Sequence, residues 1–162
     1  NTTTTAPVPQ TTPTTAFAGG TTQVSTPLTM AGYLTDIQAT TDGHVDKVVF
    51  TFSNLLPGYR IGPVTGPFYA DGSGDPVVIQ GPKYLETFFT GAGYESGGSG
   101  NQTYNGPMHI PAPPRAVVMT EMARTGDFEG HLRWVVGTSV AAQFTVTTLT
   151  NPIRVVVTMA PQ

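Results

Sequence analysis

Lys47-Val48-Val49-Phe50-Thr51-Phe52 is the stretch that decides the fold. In an extended chain Val48, Phe50 and Phe52 fall on one side and Lys47, Val49 and Thr51 on the other, a period of two that no helix can present. Ile153-Arg154-Val155-Val156-Val157-Thr158 repeats the pattern near the other end, with Ile153, Val155 and Val157 sharing a face. Each such strand has one dry and one wet face, as antiparallel sheets do. Working outward, short β-branched and aromatic runs bounded by Gly, Pro, Asn and Asp predict further strands at Leu34–Ala39, Tyr59–Val64, Val77–Gln80, Tyr84–Phe89, Ala116–Met122, Leu132–Val136 and Phe144–Thr148. That many half-wet strands fold as two stacked sheets or as a barrel, and an all-β, antiparallel two-sheet sandwich is expected. The one candidate helix, Thr120–Arg124, continues the extended Ala116-Val117-Val118 and stops at Gly126, so it reads as strand. Gly91 to Gly100 is the longest unpatterned piece and is expected to be the most mobile loop. Pro111-Ala112-Pro113-Pro114 is expected to run along a sheet edge into the next strand.

The composition agrees. The chain has 162 residues, enough for one ordinary domain, and its 19 Gly and 15 Pro disfavour long exposed helices. Only 10% of residues are charged, the formal net charge is -3, and the seven Lys and Arg are scattered singly. No basic patch for a nucleic-acid backbone can be assembled from them. Zero Cys excludes disulfides, thiolate metal sites and Cys nucleophiles.

Residues 1–32 read differently from 33–162. From Asn1 to Thr29 there is no charged residue, and Thr and Pro dominate through Thr2-Thr3-Thr4-Thr5, Pro7, Pro9 and Thr11-Thr12-Pro13-Thr14-Thr15. Such a stretch cannot build a core, and a disordered, polyproline-like stalk carrying the folded domain is expected. No apolar run reaches the roughly 20 residues of a membrane-spanning helix. The sequence opens at Asn1 without a charged or apolar leader. The expectation is therefore a mature exported protein, from which a signal, and with it a lipidated Cys, has been removed.

Two segments echo each other: Asp46 to Phe52 followed by Tyr59-Arg60-Ile61, and Phe144-Thr145-Val146-Thr147-Thr148-Leu149-Thr150-Asn151-Pro152 followed by Ile153-Arg154-Val155-Val156-Val157. Together they resemble the AMIN domain, in which a basic residue precedes Val-Val-Phe and a turn ending Asn-Pro precedes Arg and a valine run. The span from Leu34 to Met159 is similar to the AMIN-like domain of actinobacterial exported lipoproteins. The likeness extends to Leu56-Pro57-Gly58-Tyr59, Asp71-Gly72-Ser73-Gly74, and Gly126-Asp127-Phe128-Glu129-Gly130 leading to Trp134-Val135-Val136-Gly137. It implies a two-sheet, non-catalytic module that binds peptidoglycan in the cell envelope, here without the amidase that the better-known relatives carry. Lys47 stands where Arg is usual, and Thr51 and Thr158 where an acidic residue is common.

Catalytic groups find little support. Asp42, His44 and Asp46 alternate as three metal ligands on one strand face would, yet Thr41-Asp42-Gly43-His44 reads more simply as a solvated turn. Asp71-Gly72-Ser73-Gly74-Asp75 has the oxygen spacing of the front of a calcium loop without its closing Glu, and reads as a hairpin turn. Gly98-Ser99-Gly100-Asn101 misses the nucleophile elbow at its last position. His109 and His131 read as structural or surface residues, and Gly91-Ala92-Gly93 opens no helix that could cradle phosphate. No enzyme, cofactor or metal is expected.

What remains is a binding surface. Sugar rings offer apolar faces and hydroxyl edges, for which aromatic plates and guanidinium donors are suitable partners. Tyr59, Arg60, Tyr69, Arg133, Trp134 and Arg154 form the candidate glycan-binding set, with Tyr94 and Tyr104 as further aromatics. Alternation turns Arg60 away from Tyr59 and Ile61, and Arg154 away from Ile153 and Val155; Trp134, the single Trp, fits the core better than a platform. The expected partner is a wall polymer or an envelope protein, not nucleic acid, with membrane contact only through a lipid anchor. Two other readings remain open: an adaptor for another protein, and a carrier of an apolar ligand in a cavity lined by Phe50, Phe52, Phe88 or Phe144.

Overall fold

The computed structural model describes residues 12–15, 22–24, 32–93 and 102–162, which contain no helix. In chain order the strands are β1 (Thr12–Thr15), β2 (Thr22–Val24), β3 (Gly32–Thr41), β4 (Asp46–Asn54), β5 (Gly58–Val64), β6 (Phe68–Tyr69) and β7 (Pro76–Val77). They continue as β8 (Lys83–Thr90), β9 (Ala92–Gly93), β10 (His109–Pro111), β11 (Met119–Phe128), β12 (His131–Thr138), β13 (Ala142–Thr150) and β14 (Ile153–Pro161). Two six-stranded sheets result, the first in the order β1-β13-β14-β4-β3-β9 and the second β10-β11-β12-β8-β5-β2, with β6 and β7 forming a separate hairpin. Pairing is antiparallel except for the short β3–β9 contact. The all-β two-sheet architecture is the one expected.

Alternation builds the core. The first sheet turns Leu34, Val48, Phe50, Phe52, Phe144, Val146, Val155, Val157 and Met159 inward, and the second supplies Tyr59, Ile61, Leu85, Phe89, Leu132, Trp134 and Val136. The layers meet edge-to-face, Phe89 lying 4.9 Å from Phe50 and 5.1 Å from Phe52 between ring centroids. Burying each such ring contributes about 2 to 3 kcal/mol, so these few residues dominate the stability. The β6–β7 hairpin lies on the outer face of the second sheet, where Ile79, Ala123 and Val135 pack with Val64, Phe68, Val77 and Tyr84 into a second, smaller cluster. Its turn is Asp71 to Asp75, closed by the Ala70 N–H on the Asp75 carbonyl, as expected of a hairpin rather than a calcium loop.

Asp42 to His44 are exposed, as expected of a solvated turn, whereas Asp46, the first residue of β4, is turned into the core. Its carboxylate is fully buried and accepts backbone N–H bonds from Val117 (2.9 Å), Val118 (2.7 Å) and Met119 (2.7 Å). This explains why the predicted strand at Ala116–Met122 begins only at Met119: the preceding amides are bonded to a carboxylate, not to a ladder. The predicted strand at Val77–Gln80 is likewise short, because Gln80 is held by the side chains of Thr120 and Glu121 on β11 instead of by a neighbouring strand. Pro111 lies in the edge strand β10, as its missing N–H requires. Within residues 1–32, the segments 12–15 and 22–24 pair with β13 and β5. The remaining stalk residues and most of the Gly91–Gly100 loop lie outside the described residues, as does Ser99.

Candidate functional site

The outer face of the second sheet gathers the polar and aromatic groups. Register sets Phe88 on β8 directly between Arg60 on β5 and Arg133 on β12. Their guanidinium carbons stand 5.3 Å and 5.0 Å from the Phe88 ring centroid, within cation–π range. His131 stacks on the same ring at 5.3 Å with 19° between planes. Two residues along β8, Glu86 joins both cations: its carboxylate is 3.3 Å from Arg60 Nη2 and 3.3 Å from Arg133 Nε. The contact to Arg133 is ionic rather than an aligned hydrogen bond, since its buried Nε has no hydrogen-bond partner among the described residues. Asp71, from the β6–β7 turn, approaches Arg133 Nη1 at 3.7 Å.

This cluster follows from strand alternation. Phe88 and Glu86 lie between the inward Leu85, Thr87 and Phe89. Arg60 and Arg133 are similarly flanked by buried neighbours. The face is half-open, with the Arg60 side chain 49% exposed and Glu86 15%. Glu86 already receives both cations, so much of what the face still offers a ligand is guanidinium donors and aromatic carbon. Oxygen-rich, ring-bearing molecules match that combination.

The candidate set separates into three groups. Arg60 and Arg133 come together here. Tyr59 and Trp134 require correction: both are sealed in the core at 2% and 0% exposure, because each occupies the inward phase of its strand, and neither can meet a surface ligand. Arg154 is on the opposite outer face, in a cross-strand row with Thr51 and Asp36, its Nε buried without a hydrogen-bond partner among the described residues. Tyr69 is exposed but borders a different groove, of about 260 Å³, with Pro67, Phe68, Val78 and Tyr84. Tyr104 is buried edge-on to Trp134 and donates to the Pro107 carbonyl at 2.8 Å. Burial, reinforced by the charge of Asp36, raises its pKa. Tyr94 lies outside the described residues. Sequence reading missed Glu86 and His131 as members of the site and considered Phe88 only as a cavity wall. Alternation puts them on an outer face, but only the register shows that they meet.

The groups weighed for metal or acid–base chemistry are dispersed. Asp42 accepts the backbone N–H groups of His44 and Val45, which hold its carboxyl below the ordinary value, while Asp46 points into the core. Burial pushes the Asp46 carboxyl up, but the N–H groups of Met119, Val117 and Val118 and the Thr41 hydroxyl outweigh it and hold the pKa below 3.8. His109 pairs with Glu121 at 2.7 Å on the β10–β11 edge. Among the described residues no group of three His, Asp or Glu side chains is placed to hold a metal ion. Phe50, Phe52 and Phe144 are buried in the core whereas Phe88 faces outward, so Phe88 does not line a cavity with the other three.

A two-sheet domain with a buried apolar core and a donor-rich outer face has the form of a binding module. Residues 32–161 match the family model of the AMIN-like domain, and the chain belongs to that family. AMIN-like domains are cell-wall-related, generally non-catalytic binding modules of exported envelope proteins. Comparison with curated proteins returned no match, and comparison with solved structures returned none either.

Proposed function

We propose that this protein is a non-enzymatic, exported envelope module of lipoprotein type that binds peptidoglycan or another wall polymer. Contact is made through the Phe88 face of the second sheet. The observation that carries this reading is the ring of Phe88 set between Arg60 and Arg133, with His131 stacked beside it, on a half-open surface. A sugar ring placed over the aromatic group and its flanking guanidiniums would exchange water for apolar contact and several N–H donors. Residues 1–32 serve as the spacer between this domain and its anchor.

Co-sedimentation with purified cell walls tests the proposal. Phe88→Ala and Arg60→Ala are each expected to weaken retention about 5- to 30-fold, equivalent to about 1 to 2 kcal/mol. Arg154→Ala, on the opposite face, is expected to leave retention unchanged. Absence of binding by the intact protein would turn attention to the Tyr69–Val78 groove and to a protein partner. Binding lost only in Arg154→Ala would move the contact to the first sheet.

A further inference from the structure

The four sheet edges are not equally protected. β9 is two residues long, and β10 carries Pro111 and His109. β5, beneath β2, carries Arg60 and Pro63. Short length, proline and charge are the devices by which proteins blunt an edge against unwanted pairing. At the fourth edge the strand beneath β1, which is β13, has none of them. β13, Ala142-Gln143-Phe144-Thr145-Val146-Thr147-Thr148-Leu149-Thr150, is nine residues long, contains no charged residue or proline, and pairs with β14 without a register shift. Its sequence, rich in Thr and Val, has high β propensity and low charge.

Among the described residues a single element covers it. β1 pairs Thr12 with Thr148, Pro13 with Thr147, Thr14 with Val146 and Thr15 with Thr145, leaving five of the nine β13 residues without a β1 partner. An edge strand tolerates Pro13 where its missing N–H faces away from the ladder, which assigns the bonds to Thr12 and Thr14. No charged residue occurs between Asn1 and Thr29, so no ion pair can lock the segment in place. A ladder of only four residue pairs supplies few backbone bonds, each contributing about 1 kcal/mol net.

We infer that β13 is an association edge kept closed in cis by the Thr/Pro segment: when β1 lifts, β13 pairs antiparallel with β13 of a second copy. The second copy fits because an antiparallel strand pair is self-complementary about a two-fold axis, and the uncharged β13 meets no like-charge repulsion across it. The first sheet would then run continuously through both molecules. The segment read as a spacer thus also guards the sheet against self-association.

Light scattering during gel filtration of the full chain, at rising concentration, tests this. The unmodified protein is expected to be a monomer and Thr14→Pro, which removes a ladder N–H, a dimer. Adding Thr147→Lys to β13 is expected to return Thr14→Pro to a monomer, because it places a positive charge from each copy on the new strand pair. Should Thr14→Pro fail to fold, Thr14→Gly, which keeps the N–H but weakens the strand, takes its place, with dimerisation expected at higher concentration. A variant that folds and stays monomeric at every concentration overturns the inference. So does self-association that Thr147→Lys leaves untouched, since it would not involve β13.

Discussion

Asp46 is an anion without a paired cation among the described residues, held by the chain's own amides. Three successive N–H groups and one hydroxyl outweigh its desolvation, so the ionised form is the stabilising one. With the folded pKa below the unfolded value of 3.8, its contribution is fully present above about pH 4 and is lost as pH falls through the folded value. Asp46→Asn is expected to cost about 3 kcal/mol at pH 7, because the amide offers one acceptor where the carboxylate offered two and presents N–H to N–H. Urea unfolding followed at pH 7 and pH 3 checks this: the deficit of the variant should shrink at the lower pH. None of this is legible at position 46, where an Asp before a strand looks like any turn residue. Its partners stand about 70 residues away, and nothing local announces them. By contrast, the outward direction of Arg60 and the burial of Trp134 follow from alternation and size, and could be read directly.

Among the elements, long alternating strands were the most legible and short ones the least. β4 and β14 are recognisable because every second residue is a large aliphatic or aromatic group. β6, β9 and β10 are two or three residues long, too short for a period to register, and owe their existence to neighbours. β11 begins three residues later than the expected strand at Ala116, since Val117 and Val118 are hydrophobic for packing, not for pairing. The segment before β8 crosses β12 so closely that a side chain at Gly137 would collide with the Gln80 carbonyl oxygen and the Thr120 hydroxyl. Gly137→Ala is therefore expected to destabilise the domain by about 2 to 3 kcal/mol, measurable as a lowered Tm, whereas Gly72→Ala in the β6–β7 turn meets no neighbouring atom and strains only its own backbone.

For the molecule as a whole, the two outer faces are chemically distinct. The first sheet shows Thr51, Thr158, Lys47 and Arg154 in flat cross-strand rows. The second is divided between the Phe88 cluster and the apolar ground covered by the β6–β7 hairpin. The sandwich could be inferred from nine strands with one wet face each. The site could not, because a binding face depends on which strands become neighbours, and strand order is decided by long-range pairing that one-dimensional periodicity does not encode.

The hairpin also makes the architecture three layers deep at one place. Beneath it β12 has Trp134 and Val136 against one layer and Val135 against the other, all at 0% exposure, which is why Trp134-Val135-Val136 reads as an unbroken apolar run where its neighbours alternate. Deuterium labelling of the intact protein should accordingly find the amides of Leu132 to Val136 the slowest to exchange, opening only when the entire domain does. The outermost strands should surrender their protons orders of magnitude sooner. The molecule would then loosen from its margins toward this single doubly covered ribbon, which serves as the keel of the fold.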